Sequence, residues 1–173
     1  MDQERTTDHG RTKYQGPSTK NSKLSQPSLF GPASGGTATA NIDGGSRGNP
    51  GPAGYGVRVE REDGSVIELK DALTLATNNV AEYSGLLAAL RWAVANTVST
   101  LHIRSDSELL VKQMKGQYRV KNTGLQPLYE EAVGLVRQVG RVTFEHVRRE
   151  FNKDADRLAN EAMDAAARET TGL

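Results

Sequence analysis

The stretch ATANIDGGSRGNPGPAGYGVRV, residues 38–59, decides how this sequence is read. Small and β-prone residues run up to one acid, Asp43, and are followed at once by glycines, an asparagine and two prolines. That is a strand which stops in a turn and restarts. TATANID (37–43) reads as a first strand and AGYGVRVERE (53–62) as a second. SVIELKDA (65–72) reads as a third, joined to the second through Asp63-Gly64, a strong hairpin-turn pair. Taken alone, Asp43 is the residue that opens the GGSRGNPG turn. A carboxylate at the end of a central strand is equally a candidate for chemistry, and the other acids of the chain decide between the two.

Beyond the three strands, Leu86, Leu87, Leu90, Ala93 and Val94 recur at helical spacing within residues 78–96. TLHIRSD (100–106) predicts a fourth strand and SELLVKQMKG (107–116) a helix. Leu125, Leu128, Ala132, Leu135, Val136 and Val139 mark another helix, and RVTFEHV (141–147) a fifth strand. The closing helix, 152–169, carries the stripe Ala155, Leu158, Ala159, Ala162, Met163 and Ala166. The order βββαβααβα, without an internal repeat, predicts an α/β fold. Its sheet is mixed, with a hairpin-linked opening and helices on its faces.

The 173 residues suffice for one domain with a tail to spare. Residues 1–36 are polar and lack hydrophobic periodicity, which predicts a disordered tail and linker. The domain is expected over 37–169, with a short C-terminal tail at 170–173. The absence of cysteine excludes a disulfide framework and a zinc finger and suits a reducing compartment, with cytoplasm as the default. No apolar run approaches the roughly 20 residues of a membrane span, and MDQERTTDHGRTK is charged where a signal peptide turns apolar. The expectation is a soluble protein without membrane association, acting as a monomer. The net charge of +1 divides into +2 for residues 1–36 and −1 for the rest. If several acids surround cations, the remaining surface is mildly basic, which a polyanionic partner tolerates.

Three further acids stand out. Glu82 lies four residues before Leu86, on the apolar face of its helix, where a lone charge is costly and asks for a partner. Asp106 follows a strand and precedes a helix; alone it reads as an N-cap. Asp156, early in the last helix, alone reads as a surface charge favoured by the helix dipole. Together with Asp43, they sit at strand ends and helix starts that can converge on one spot. Crowded carboxylates are stable only if protonated or loaded with cations, and an oxygen-only donor set suits Mg²⁺ or Mn²⁺.

IDGGSRGNPGPAGYG, TNNVAEYSGLLAAL, RSDSELLVKQM and NKDADRLANEAM resemble, in order and spacing, the motifs of type 1 ribonuclease H, over residues 38–168. The resemblance implies a ribonuclease H-like five-stranded mixed sheet in the order 3-2-1-4-5, flanked by helices. It implies an endonuclease that cleaves the RNA strand of RNA–DNA hybrids with two divalent ions, Mg²⁺ with Mn²⁺ as a substitute. Asp43 would bridge both ions, Glu82 and Asp106 would complete one site, and Asp156 the other. One ion then sharpens the attacking water and the other stabilises the leaving oxygen, giving 5′-phosphate and 3′-hydroxyl ends. Gly44 and Gly45 would let the backbone approach a nucleic-acid strand. Asn49 and Asn79 look like groove contacts to 2′-hydroxyls and bases, and Thr77 and Asn78 match a pocket for a DNA-strand phosphate.

The sequence departs from the best-studied bacterial form in three ways. SELLVKQMKGQYRVKN is too short for that form's basic helical protrusion, leaving Lys112, Lys115, Arg119 and Lys121 to grip substrate. A flexible loop with a histidine is missing before Asp156; His146 falls in a strand and aligns with a core position, so Arg149 is the candidate to meet the scissile phosphate. Glu108 stands where a glutamine often contacts RNA. Trp92 reads as helix packing. Two alternatives stay open: a catalytically inactive hybrid-binding module, and another nuclease of the same fold.

Overall fold

The structure is a computed structural model and describes residues 35–172. The tail expected over 1–36 therefore lies almost wholly outside the described residues. The elements are β1 (Gly35–Ser46), β2 (Gly51–Arg61), β3 (Val66–Ala76), α1 (Asn78–Ala95), β4 (Val98–Ser105), α2 (Glu108–Met114), α3 (Gln126–Val139), β5 (Arg141–His146), a 3-10 turn (Arg149–Phe151) and α4 (Lys153–Thr170). The five strands form one sheet in the order β3-β2-β1-β4-β5. β1 is central, antiparallel to β2 and parallel to β4, and β5 continues the parallel run.

Alternation along β1 explains its place. Ala38, Ala40 and Ile42 are buried on one face, while Thr37, Thr39, Asn41 and Asp43 point to the other. On the first face α1 and α3 close a single core in which Ile42, Val57, Leu86, Leu90, Leu101 and Ile103 are essentially inaccessible. Each such aliphatic side chain contributes about 1.5–3 kcal/mol by leaving water. Inside this core the Tyr83 hydroxyl donates to Gln113 Oε1 at 2.7 Å, joining α1 to α2 without a buried unsatisfied group. Trp92 packs at the core margin with the Arg61 guanidinium 5.5 Å from its ring centre, consistent with its predicted packing role.

α4 lies across the opposite face of β2, β3 and β1. Its buried stripe of Ala155, Leu158, Ala159, Ala162, Met163 and Ala166 meets glycines. A Cβ on Gly56 would stand 2.5 Å from the Ala155 carbonyl and Leu158 Cβ, so small residues on both sides set the approach. The exposed side of α4 is tied to β3 by Lys70–Glu161 at 2.6 Å and by Arg157–Glu68.

Several boundaries differ from the sequence reading, and β1 does not end at Asp43 but runs on to Ser46 in its pairing with β2. β1 starts two residues early because Gly35 already pairs with Val98. β3 runs to Ala76 rather than Ala72, since pairing with β2 continues past an irregularity at Gly51/Ala53. α2 is capped by Ser107, whose side chain accepts from Leu110 N at 3.3 Å, and not by Asp106. Among the described residues no helix is long and apolar enough to cross a membrane.

Candidate active site

Four elements deliver the four acids to one end of the sheet. Ile42 pairs with Ser105 at the end of the parallel β1/β4 ladder, so Asp106 leaves the sheet beside Asp43, which stays in β1 paired with Gly56 of β2. α1 comes down onto the same strand end, where a Cβ on Gly44 would overlap the backbone of Ala81 and Glu82; only glycine lets Glu82 sit this close. Asn152, just before α4, donates its side-chain amide to the Ile42 carbonyl at 2.9 Å, and Asp156 follows one turn later with its N–H on the Asn152 carbonyl at 3.0 Å.

Electrostatic interaction links the acids in pairs, Asp43 with Asp106 and Asp156, Asp106 with Asp156, and Glu82 with Asp106. Burial, then the Asp106 charge, and further the hydrogen bond and charge of Asp156 push Asp43 up to about 8, against a single lowering hydrogen bond from Gly44 N at 2.9 Å. Burial pushes Glu82 to about 7, with Ser107 lowering it by hydrogen bonding and Asp106 raising it further. Asp106 is also raised, chiefly by burial and additionally by Asp156, while Arg149 and Asn152 oppose the shift. Among the described residues the one cation in contact is Arg149, whose guanidinium lies 3.4 Å from Asp156 Oδ1 and is 78% exposed.

Among the described residues no group of three or more His, Asp or Glu side chains forms a closed set of donors for a metal ion. The acids are instead in electrostatic range of one another, with excess negative charge that the protein does not itself neutralise. Oxygen-only donors, with Asp43, Glu82 and Asp106 raised, beside one exposed arginine fit hard divalent cations better than softer ions.

The other predicted residues gather beside the acids in a hydrogen-bonded corner. Asn49 Oδ1 accepts from Asn78 N at 3.1 Å, and Asn78 Oδ1 accepts from Ser46 N at 2.8 Å. Thr77 caps α1 by accepting from Val80 N at 3.3 Å. Asn79 is half-buried, and no hydrogen bond of its side chain occurs among the described residues. The two glycines turn inward: Gly44 accommodates α1, and a Cβ on Gly45 would meet Met163 at 3.1 Å. Glu108 and Lys112 pair at 2.6 Å, and Lys112 also stands over the Tyr118 ring. Lys115, Arg119 and Lys121 are exposed.

His146 is a correction. Its parity matches Val142 and Phe144, which pack on the core, but β5 runs past its helical cover at this residue, so the ring is exposed and approaches the Asp106 carbonyl, Nε2 to O 3.3 Å. Asn152 is the residue that sequence reasoning missed. An asparagine opening NKDAD looks like an ordinary N-cap, yet its side chain makes no cap bond. It is 1% exposed, donates to β1 and accepts from Asn41 Nδ2 at 3.1 Å.

Residues 41–162 match a protein family described as Reverse transcriptase-like. A bifunctional protein of Mycobacterium tuberculosis, Rv2228c, is 52% identical over 127 residues, 72% of this chain and 35% of the relative. The chain thus spans about a third of the length of the first curated relatives it matches. Ribonuclease HI of Halobacterium salinarum is 41% identical over 136 residues, 78% of this chain and 68% of that protein. Among solved structures, the N-terminal RNase H domain of Rv2228c superposes with a TM-score of 0.74 at 50% identity, over 77% of this chain and 97% of that one. LC11-RNase H1 in complex with an RNA/DNA hybrid gives 0.70 at 38% identity, over 75% and 99%.

Proposed function

This chain belongs to the type 1 ribonuclease H family, and from that premise we propose that it is an endonuclease hydrolysing the RNA strand of RNA–DNA hybrids. The observation that carries the reading is the meeting of Asp43, Glu82, Asp106 and Asp156, from four separate elements, in one electrostatically coupled group. A purely structural protein has no use for carboxylates whose ionisation is opposed by burial and by one another, as it is at Asp43, Glu82 and Asp106. Relatives named for ribonuclease H activity, and one solved with a hybrid bound, support the substrate class.

In this reading Asp43, Glu82, Asp106 and Asp156 would hold two divalent ions, Mg²⁺ or Mn²⁺ in its place. When bound, such a pair supplies the charge that makes water nucleophilic near neutral pH and offsets charge on the leaving 3′ oxygen. The chain's own residues do the rest. Arg149 places positive charge beside the acids, where a scissile phosphate would lie. Asn79 offers an unengaged amide to a 2′-hydroxyl, the group that separates RNA from DNA. The corner of Thr77, Asn78 and Asn49 would meet a phosphate of the second strand through its side-chain donors, at a helix start whose dipole favours negative charge. Lys115, Arg119 and Lys121 add salt-sensitive phosphate affinity. The products are 5′-phosphate and 3′-hydroxyl ends, and the protein acts as a cytoplasmic monomer.

The test is cleavage of internally labelled RNA–DNA hybrid with blocked ends, set beside RNA–RNA duplex, in Mg²⁺ and then Mn²⁺. Internal cuts in the hybrid alone are expected. Tight hybrid binding without cleavage in either metal would make the chain an inactive binding module, and cleavage only from free ends would make it an exonuclease of the same fold.

A further inference from the structure

Away from the acids, a second hollow of 310 Å³ opens between α2, α3 and β5. Its floor is apolar: Tyr129 and Val136 from α3 and Phe144 from β5, packed on the core yet partly accessible, with Val133, also half-buried, beside them. Its rim carries Lys115 and Arg137, and no acidic residue lines it. Among the described residues neither cation has an ion-pair partner, whereas the nearby acids are engaged elsewhere, Glu108 with Lys112 and Glu131 with Arg91. Glu130 lines the neighbouring hollow together with Arg119. The contrast with the α4 face, where Lys70 and Arg157 are both paired, leaves this groove as an apolar slot with unneutralised positive charge at its mouth.

We propose that this groove docks an acidic peptide segment of a partner protein, with one aliphatic or aromatic side chain on the floor and flanking carboxylates on Lys115 and Arg137. The volume suits one large apolar side chain with room for the adjoining backbone. Desolvated apolar contact at the centre supplies affinity, and the rim charges supply attraction and register. A nucleic-acid duplex fits the charge but not the floor, because its bases are stacked and paired and it has no projecting apolar group to place there. The groove shares Lys115 with the phosphate contacts proposed above, so the test rests on Arg137 and Val133, which lie outside them.

The test is fluorescence anisotropy with the full chain and three labelled peptides: Asp-Glu-Asp-Leu-Phe, its uncharged counterpart Asn-Gln-Asn-Leu-Phe, and Asp-Glu-Asp-Ser-Ser, which lacks the apolar anchor. The first should bind, and the other two should bind at least about tenfold more weakly. Arg137→Glu and Val133→Glu should each weaken the first peptide about tenfold or more, with an unchanged melting temperature and unchanged rate on RNA–DNA hybrid. Failure of the first peptide to bind at millimolar concentration would overturn the proposal. So would equal binding of all three peptides, or indifference to both substitutions. Displacement of the peptide by hybrid, with a raised hybrid KM in Arg137→Glu, would assign the groove to the nucleic-acid surface instead.

Discussion

The side-chain amide of Asn152 donates to the carbonyl of Ile42 across 2.9 Å, which fixes the start of α4 against the last core residue of β1. Asp43 is the next residue on one side of this bond and Asp156 is one helical turn away on the other. The bond therefore sets the distance between two of the four acids, and the same amide also moderates Asp106.

Asn152→Ala removes this link and leaves a carbonyl at a buried position without its partner, a cost of about 1–3 kcal/mol. The melting temperature should fall by several degrees. The rate on RNA–DNA hybrid should fall further than the stability loss accounts for, measured well below the transition. Full activity in a destabilised but folded Asn152→Ala protein would show that α4 is positioned by its apolar stripe alone.

Asp43→Asn separates chemistry from folding. The carboxyl it removes is the most strongly raised of the set, so the neutral amide of the same size relieves repulsion in the metal-free protein. Cleavage should drop by more than the about 10–100-fold typical of residues that only orient metal ligands. The melting temperature in EDTA at pH 8 should rise. A variant that retains normal turnover would remove Asp43 from the reaction, and one that unfolds would show that the acid is structural.

The pH dependence has a definite sign. Asp43 and Glu82 have folded pKa values of about 8 and about 7, above their ordinary values of 3.8 and 4.5, so the folded chain holds protons that the unfolded chain releases. This contribution to stability is fully present below the ordinary carboxylate range and is lost as pH rises toward 8. In EDTA the melting temperature should fall from pH 5 to pH 8. Mg²⁺ should raise it at pH 8 and much less at pH 5, because binding requires the carboxylates to be ionised. Equal Mg²⁺ shifts at both pH values would contradict a site built from these two acids.

Much of this was legible in the sequence, for reasons tied to particular residues. The alternation Ala38, Ala40, Ile42 and the helical spacing of Leu86, Leu87 and Leu90 report burial directly, and burial orders the sheet. Local reading failed where a neighbour could take the same job. Ser107, not Asp106, caps α2, and a sequence with both residues adjacent does not say which one turns inward. His146 failed because alternation carries no information about where the helical cover ends. Gly44 reads locally as room for a nucleic-acid strand, and its missing Cβ also makes room for α1, a long-range contact that no local pattern encodes. Asn152 is the same case: its partner is 110 residues away.

Arg149 allows charge and packing to be separated at the site itself. It lies on a short turn before α4, is 78% exposed, and has its guanidinium 3.4 Å from Asp156. So exposed an ion pair adds at most about 1 kcal/mol to stability. Its removal should barely move the melting temperature. If its charge meets the phosphate as bonds break, Arg149→Ala should lower kcat by about 10–100-fold with little change in KM, the pattern of an interaction made mainly in the transition state. Arg149→Lys should recover part of the loss, since a point charge replaces the planar fork but not its two-point contact. A raised KM with kcat intact would instead make Arg149 one more phosphate grip on the bound duplex, and an unchanged kcat/KM would leave it as a surface partner of Asp156.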